Sequence, residues 1–146
     1  MRLFLFFILL ISPFTLSAEV LRVVILGSGT PRLDIDRFSQ SILVEAGDER
    51  LLFDTGRGAA IRLNQMNVNL SSINHIFFTH LHSDHIVGFP DVLMTGWVYQ
   101  RRETLNIFGP TGTKKFVENI KKAFNEATKH LNSGKVFKHL NKLQST

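Results

Sequence analysis

Cysteine is absent from the sequence of 146 residues. Its absence excludes disulfide bonds, thiolate metal sites, cysteine nucleophiles and a lipid anchor carried on cysteine. The sequence also has no internal repeat, no linker and no low-complexity segment. A chain of this length has room for one ordinary domain. Its 44% hydrophobic and 20% charged residues are typical of a globular protein.

The sequence has no apolar run of the roughly 20 residues that a membrane-spanning helix needs. Its longest apolar run covers residues 3–11, follows Arg2 and is broken by a Ser-Pro pair. A basic start, a short apolar core and small residues before Glu19 are typical of a secretory signal peptide. We expect a signal peptide over residues 1–18 and a domain over residues 19–146. This predicts an exported protein, periplasmic or secreted, without stable membrane association after cleavage. A misassigned start codon would instead predict a cytoplasmic protein.

Basic residues exceed acidic ones, with 17 Lys and Arg against 12 Asp and Glu. The excess lies in residues 111–146, which contain eight Lys and two Glu. A basic segment can bind nucleic acid or acidic lipid, but lysines along one side of a helix are more often only solvated surface. A nucleic-acid-binding module built on this segment is the lowest-ranked of three functional hypotheses.

Hydrophobic patterning predicts alternating strands and helices. Strands are predicted at residues 20–26, 40–46, 50–54, 73–78 and 105–108, and helices at 59–66, at 86–94 with an interruption near Pro90, and from Thr113 to Gly134. A further amphipathic turn is predicted within residues 136–143. This order is typical of an α/β fold with a mixed sheet and covering helices. Functional sites in such sheets collect where strands end.

A glycine-containing turn, Gly27-Ser28-Gly29-Thr30-Pro31, follows the first predicted strand. It resembles the start of a dinucleotide-binding loop, but the third glycine is missing and no helix opens after it. The dinucleotide hypothesis therefore fails. A tight turn that lets the backbone pass close to a site is the better interpretation.

The strongest chemical signal is a cluster of His80, His82, Asp84 and His85 within six residues. Neutral imidazole and ionised carboxylate are donors that zinc, iron and manganese accept. An apolar strand precedes the cluster, which therefore lies on a loop where a strand leaves the sheet. The sequence predicts a metal site on this loop.

The spacing of these residues leaves two arrangements open. His80 and His82 are separated by one residue, so in an extended backbone they point the same way and can bind one metal ion. Asp84 and His85 can then turn toward a second ion. Two ions about 3.5–4 Å apart can stabilise the attacking and leaving oxygens of a displacement. With a single ion, Asp84 is free to act as a general base.

Two residues outside the cluster have competing interpretations. Asp54, like Thr55, can cap the helix predicted at residues 59–66. Asp54 can instead accept a hydrogen bond from the second nitrogen of a metal-bound imidazole. His75 alternates with apolar residues on its strand and is expected to be structural.

The cluster and three further segments resemble a known family. H-L-H-S-D-H at residues 80–85 resembles the H-x-H-x-D-H signature of the metallo-β-lactamase superfamily. Three more motifs are similar to the ribonuclease Z and arylsulfatase-like branch: L-G-S-G-T-P at 26–31, L-F-D-T-G-R-G at 52–58 and I-F-G-P-T-G-T at 107–113. The resemblance covers about residues 20–125. It implies a metallo-β-lactamase-like αββα sandwich, of which the chain supplies the N-terminal half.

The resemblance also implies roles for the cluster. By the family pattern, His80 and His82 bind a first zinc ion, and Asp84 and His85 bind a second. Asp84 is also implied as a catalytic residue that assists proton transfer. The complete family site holds two zinc ions, and one or two are expected here.

The sequence departs from the family pattern after the cluster. The family completes its site with a further His, a metal-bridging Asp and a last His. This chain has no Asp after Asp91, and its later histidines, His130 and His139, lack the family's surrounding residues. We therefore expect a truncated zinc-dependent hydrolase of phosphodiester or sulfate-ester substrates. The alternative is a non-catalytic remnant with a weak or incomplete metal site.

The expected partners follow from this reading. They are a small ester or nucleic-acid substrate, and a second copy of the chain in a homodimer is left open. Export favours an esterase or sulfatase over tRNA processing, which is intracellular. A cytoplasmic location would reverse that preference.

Overall fold

The computed structural model describes residues 21–129 and 142–145. Its strands are β1 (Leu21–Gly27), β2 (Ser41–Ala46), β3 (Glu49–Phe53), β4 (His75–Phe77), β5 (Asn106–Gly109) and β6 (Lys142–Ser145). Its helices are α1 (Ala59–Gln65), α2 (Ser83–Ile86), α3 (Phe89–Val98), α4 (Thr113–Ala123) and α5 (Asn125–Lys129), with a 3-10 turn at Leu70–Ser72. Several predictions lie outside the described residues: the signal peptide over 1–18, the helix end at Gly134, most of the turn within 136–143, and His130 and His139.

The strands form one mixed sheet in the order β1-β2-β3-β4-β5-β6. β1, β2 and β3 pair antiparallel, and β3 to β6 pair parallel. In the parallel register Leu52 lies opposite Ile76, so the carboxyl ends of β3 and β4 meet at one edge of the sheet. The mixed α/β sheet predicted from the sequence is confirmed.

The hydrophobic core lies on one face of the sheet. Successive side chains of a strand point to opposite faces, so alternate residues reach the core. The sheet contributes four completely buried residues: Leu43, Leu52, Ile76 and Ile107. Helices α1, α3 and α4 cover them with the buried residues Leu63, Phe89, Val92 and Val117. This packing fixes the strand ends that carry the candidate site.

The other face of the sheet is apolar and less buried. Val23 and Ile25 of β1 are 59% and 67% exposed. Phe53, Phe77 and Phe108 stack across β3, β4 and β5, with ring centroids 4.9 and 4.7 Å apart. A sandwich places a second sheet against such a face. The described residues supply one sheet with helices on its opposite side.

The helical segment predicted over 86–94 with an interruption near Pro90 is divided in the structure. α2 ends at Ile86 and α3 begins at Phe89, so the break lies at residues 87–88, just before Pro90. Pro90 occupies the first turn of α3. Its missing N–H needs no partner there, and its fixed φ suits a helix start.

The predicted last helix is also divided. α4 ends at Ala123, and α5 begins at Asn125 after a non-helical residue at Phe124. Leu143, predicted in an amphipathic turn, lies in β6 and pairs with Ile107. None of the described helices has the length and apolarity needed to cross a membrane.

Candidate metal centre

The four predicted ligands lie immediately beyond β4, on the loop that enters α2 and in α2 itself. This loop is joined by backbone hydrogen bonds to the loop that follows β3. Thr55 N donates to His85 O at 2.7 Å, and Gly88 N donates to Thr55 O at 2.8 Å. Because both loops leave the same edge of the sheet, residues distant in sequence meet here.

Gly56 allows the two loops to approach this closely. Its N–H donates to Gln40 O at 2.9 Å. A Cβ atom at position 56 would lie 2.5 Å from Asp84 O and 2.6 Å from Gln40 O, far inside van der Waals contact. The junction therefore requires glycine at this position.

Asp54 connects the β3 loop to the histidine cluster. Its side chain is buried, with Oδ1 accepting from Thr79 N at 2.8 Å and Oδ2 accepting from Thr79 Oγ1 at 2.8 Å. Oδ2 also lies 2.7 Å from His85 Nδ1. Helix α1 is preceded by Gly58 and has no side-chain cap. Of the roles left open for Asp54, the structure shows the contact with imidazole and not the helix cap.

This network orients two imidazoles. A carboxylate oxygen accepts, so His85 Nδ1 donates to Asp54, and in the neutral imidazole Nε2 is then the nitrogen with a free lone pair. Thr79 Oγ1 donates to Asp54 and lies 3.1 Å from His80 Nδ1, from which it can accept. His80 Nε2 then keeps its lone pair as well. Both rings therefore offer Nε2 as a metal donor.

The structure brings all four predicted ligands together. The His80 ring centroid lies 4.5 Å from that of His82 and 3.9 Å from that of His85. Asp84 Oδ2 lies 3.6 Å from His85 Nε2. The side chains of Asp84 and His85 are 12% and 15% exposed, whereas His82 is exposed.

The cluster fits a metal ion by its donor chemistry. Three imidazoles and a carboxylate are a usual ligand set for zinc and related divalent ions. Within the described residues, however, no group of three or more His, Asp or Glu side chains is arranged to hold a metal ion. The cluster is therefore a set of suitable donors and not a closed metal site.

Thr79 is the residue of the site that the sequence analysis missed. Its hydroxyl contacts Asp54 and His80 and lies 3.4 Å from His85 Nδ1. Its position directly before His80 was the available signal, because a hydroxyl next to a ligand can orient it. His75 lies outside the cluster, with its ring stacked 6.3 Å from that of Phe108.

A mixed sheet with a His-x-His-x-Asp-His loop at the end of a parallel strand defines the class of this protein. It is a metallo-β-lactamase-superfamily protein of the ribonuclease Z branch. The family described as "Anti-Pycsar protein Apyc1" matches residues 21–144, and the chain belongs to that family.

Two curated relatives are ribonucleases. The chain is 43% identical over 108 residues to Ribonuclease Z of Mycolicibacterium gilvum (strain PYR-GCK), an alignment that covers 72% of this chain and 38% of that protein. It is 38% identical over 100 residues to Ribonuclease Z of Methanocaldococcus jannaschii, covering 68% of this chain and 32% of that protein. The chain thus spans well under half the length of these relatives.

Solved structures agree on the fold. The short form of human tRNase Z superposes with a TM-score of 0.65 at 29% identity, covering 70% of this chain and 39% of that chain. A long-form RNase Z from yeast superposes with a TM-score of 0.68 at 21% identity, covering 90% of this chain and 19% of that chain. At that lower identity the yeast likeness shows the fold alone.

Proposed function

We propose that this chain carries the N-terminal part of the active site of a metal-dependent hydrolase that cleaves phosphodiester bonds in RNA. The names of the relatives, Ribonuclease Z and tRNase Z, support this substrate class. The observation that carries the proposal is the contact of 2.7 Å between Asp54 Oδ2 and His85 Nδ1. A buried carboxylate that orients an imidazole is a usual companion of a metal ligand.

In this proposal His80, His82, Asp84 and His85 are the ligands of zinc, with one or two ions bound. A bound divalent ion supplies a Lewis acid that polarises phosphoryl oxygens. The chain's own residues supply orientation. Asp54 and Thr79 hold two rings so that each presents Nε2.

Asp84 has a second proposed role as the catalytic residue. Its carboxylate is mostly buried, and Oδ2 lies 3.6 Å from His85 Nε2. A carboxylate in such a position can take a proton from the attacking water or return one to the leaving oxygen. If a single ion is bound, the same Asp84 carboxylate would act as the general base.

A second candidate function is a non-catalytic remnant that binds metal weakly. One observation favours it. No group of three donors among the described residues is arranged to hold a metal ion. The test must therefore separate metal binding from catalysis.

The test is metal-dependent hydrolysis by the purified full chain. After treatment with EDTA, zinc or manganese is restored, and three substrates are compared: bis-p-nitrophenyl phosphate, a short RNA and p-nitrophenyl sulfate. We expect cleavage of both phosphodiesters, lost in Asp84→Ala and kept in Asp91→Ala, an exposed carboxylate outside the cluster. Cleavage of the sulfate alone would make the enzyme a sulfatase. Metal binding without cleavage would favour the remnant.

We also propose that the chain is exported, as the apolar N-terminal segment suggests. The N-terminus of the purified mature protein tests this. A start near Glu19 supports export, and an intact Met1 in a cytoplasmic fraction contradicts it.

A further inference from the structure

A cavity of about 350 Å³ lies between the end of β1, the loop over residues 28–38 and α1. Its lining combines an apolar wall that includes Leu26, Phe38 and Met66 with the charged residues Asp36, Arg37 and Arg62. Pockets of this volume and mixed lining hold small ligands. Gly27 and Ser28 of the glycine-containing turn also line the cavity, but no helix follows these glycines, so the turn is not a dinucleotide-binding loop.

Arg62 gives the cavity a fixed positive charge. Its guanidinium lies 4.7 Å from the centroid of the Phe38 ring. It donates to Gln65 Oε1 at 2.9 Å and to Asp36 O at 3.2 Å. The Phe38 ring, the Gln65 amide and the Asp36 backbone carbonyl are all neutral. They hold the guanidinium in place without neutralising its charge. A guanidinium in this state is suited to bind phosphate.

Arg37 adds a second positive charge at the rim. Within the described residues its side chain makes no hydrogen bond or ion pair. It lines this cavity and also a second one of about 400 Å³ on the other side of the loop. The backbone of the loop is held at this point by Asp34 Oδ1, which accepts from the N–H groups of Asp36 and Arg37 at 2.9 and 3.1 Å. Arg37 therefore lies at a defined position between two depressions.

Two glycines join the wall of the cavity to the loop of the histidine cluster. The Phe38 ring packs directly against Gly58, at the start of α1. Two residues earlier, Gly56 packs against the backbone of Asp84. Residues 56–58 therefore connect the wall of the cavity to the loop of the proposed ligands.

We propose that this cavity binds one nucleotide of a single-stranded RNA substrate, with its phosphate on Arg37 and Arg62. The apolar wall takes the base, and the Asp36 carboxylate accepts from ribose hydroxyls. The 2′-hydroxyl is what distinguishes RNA from DNA. The two arginines and one aspartate leave one net positive charge for the phosphate. This inference rests on the proposed function and adds a substrate-positioning site to it.

The test measures RNA binding without metal. Fluorescence anisotropy of a labelled eight-nucleotide uridine RNA is followed with the full chain in EDTA, at several salt concentrations. We expect Arg37→Gln to raise Kd about tenfold and to reduce the slope of log Kd against log salt by about 0.7. The matched control is Arg102→Gln, an exposed arginine after α3 that lines neither cavity, and its Kd should change less than about twofold.

Two further variants examine the rest of the cavity. Arg62→Met keeps the apolar stem and should weaken binding about as much as Arg37→Gln. Because Arg62 packs on Phe38, thermal unfolding of this variant is measured alongside. Asp36→Asn should reduce the preference for the uridine RNA over the matching DNA, since the neutral amide is a weaker acceptor.

The outcomes are distinct. Unchanged RNA binding by Arg37→Gln, or equal losses in Arg37→Gln and Arg102→Gln, would overturn the inference. Uridine monophosphate that competes at the same concentration as the eight-nucleotide RNA would also overturn it, because the site would then take a free nucleotide.

If phosphodiester hydrolysis persists while the cavity variants bind normally, this inference fails and the proposed function stands. If the arginine variants lose binding but no metal-dependent hydrolysis is found, the proposed function fails instead.

Discussion

Asp54 combines burial, charge and an unusual backbone conformation. Its φ of 57° is in the left-handed region, where residues other than glycine are uncommon. Such a conformation costs on the order of 1–3 kcal/mol and persists only where the surroundings fix it. Here two hydrogen bonds from Thr79 and the contact with His85 fix it. The strain therefore places a carboxylate where it orients an imidazole.

Replacing Asp54 by Asn should weaken zinc binding. The amide has one acceptor oxygen where the carboxylate has two, so it does not satisfy both Thr79 and His85. We expect the zinc affinity to fall about 10- to 100-fold, as for other residues that orient metal ligands. Competition with a chromogenic chelator measures it. Asp91→Asn is the control, because Asp91 is exposed and, within the described residues, its carboxylate accepts a hydrogen bond from Thr95 alone. Equal affinities in the two variants would contradict the orienting role.

Arg101 is a buried cation without a carboxylate partner among the described residues. It is 9% exposed, and Nη2 donates to Leu70 O at 2.8 Å. Burial lowers the pKa of its guanidinium to about 10. The charged form is therefore less favourable in the folded state than in the unfolded chain. At neutral pH the buried charge of this residue therefore opposes folding.

Arg101→Met should stabilise the protein. Leu70 O keeps a hydrogen bond from Ile73 N at 3.3 Å, so no carbonyl is left unpaired. Removing an uncompensated buried charge is expected to raise the free energy of unfolding at pH 7 by about 1–3 kcal/mol. The penalty in the wild type applies below pH 10 and diminishes at higher pH, so the gain should diminish there as well. Urea denaturation measures it, with Arg102→Met as control. A less stable Arg101→Met variant would contradict this account.

At the scale of elements, the site depends on two loops that meet at one edge of the sheet. The parallel pairing of β3 and β4 brings the loops together, and backbone hydrogen bonds between them hold His85 near Asp54. Gly56 is a point of close approach between them. The loops are thus one structural unit.

Gly56→Ala should separate these loops. The added Cβ would overlap the backbone oxygens of Asp84 and Gln40, which have little freedom to move. We expect a loss of about 1–3 kcal/mol in the free energy of unfolding, together with weaker zinc binding. Urea denaturation and chelator competition give the two values. Ser83→Ala, at an exposed position of the same loop, should change stability by less than about 0.5 kcal/mol. A fully stable Gly56→Ala variant that binds zinc normally would contradict the role of this junction.

The sequence predicted which residues belong to the site better than which of them are in contact. The cluster and its place after β4 could be predicted because an apolar strand is followed by three histidines and one aspartate within six residues. Asp54 was recognised as a candidate, but the choice between its two roles depends on a contact across 31 positions. Pro90 was assigned an interruption because proline breaks most helices, and the start of α3 could not be seen without the loop before it. The packing of Arg62 on Phe38 has no local signature at all.

At the scale of the whole molecule, the sheet has one covered face and one apolar face. Val23 and Ile25 are exposed large hydrophobic residues on the second face. Neighbouring strands continue this face with stacked aromatic rings. Apolar surface of this kind favours association. A homodimer therefore stays among the predictions for this chain.

Association through this face should depend on β1. We expect concentration-dependent association of the purified chain, reduced in the double variant Val23→Thr and Ile25→Thr, because threonine keeps the β-branched shape but is more polar. Sedimentation velocity at several concentrations measures it. Ile61→Thr is the control, since Ile61 is 51% exposed on α1, outside this face. A monomeric wild type, or equal effects of the two substitutions, would contradict the prediction.

The proposed metal binding by the His80–His85 cluster is tested by the zinc content of the purified chain. The full chain is loaded with zinc, passed through gel filtration and measured by mass spectrometry. His82→Ala is the sharpest variant, because His82 is exposed and has no side-chain hydrogen bond within the described residues, so its loss should not disturb the fold. His75→Asn, outside the cluster, is its control. We predict one or two zinc ions per chain in the wild type and His75→Asn, and a clear loss in His82→Ala. A wild type without zinc, or a His82→Ala variant with the full amount, would contradict the account.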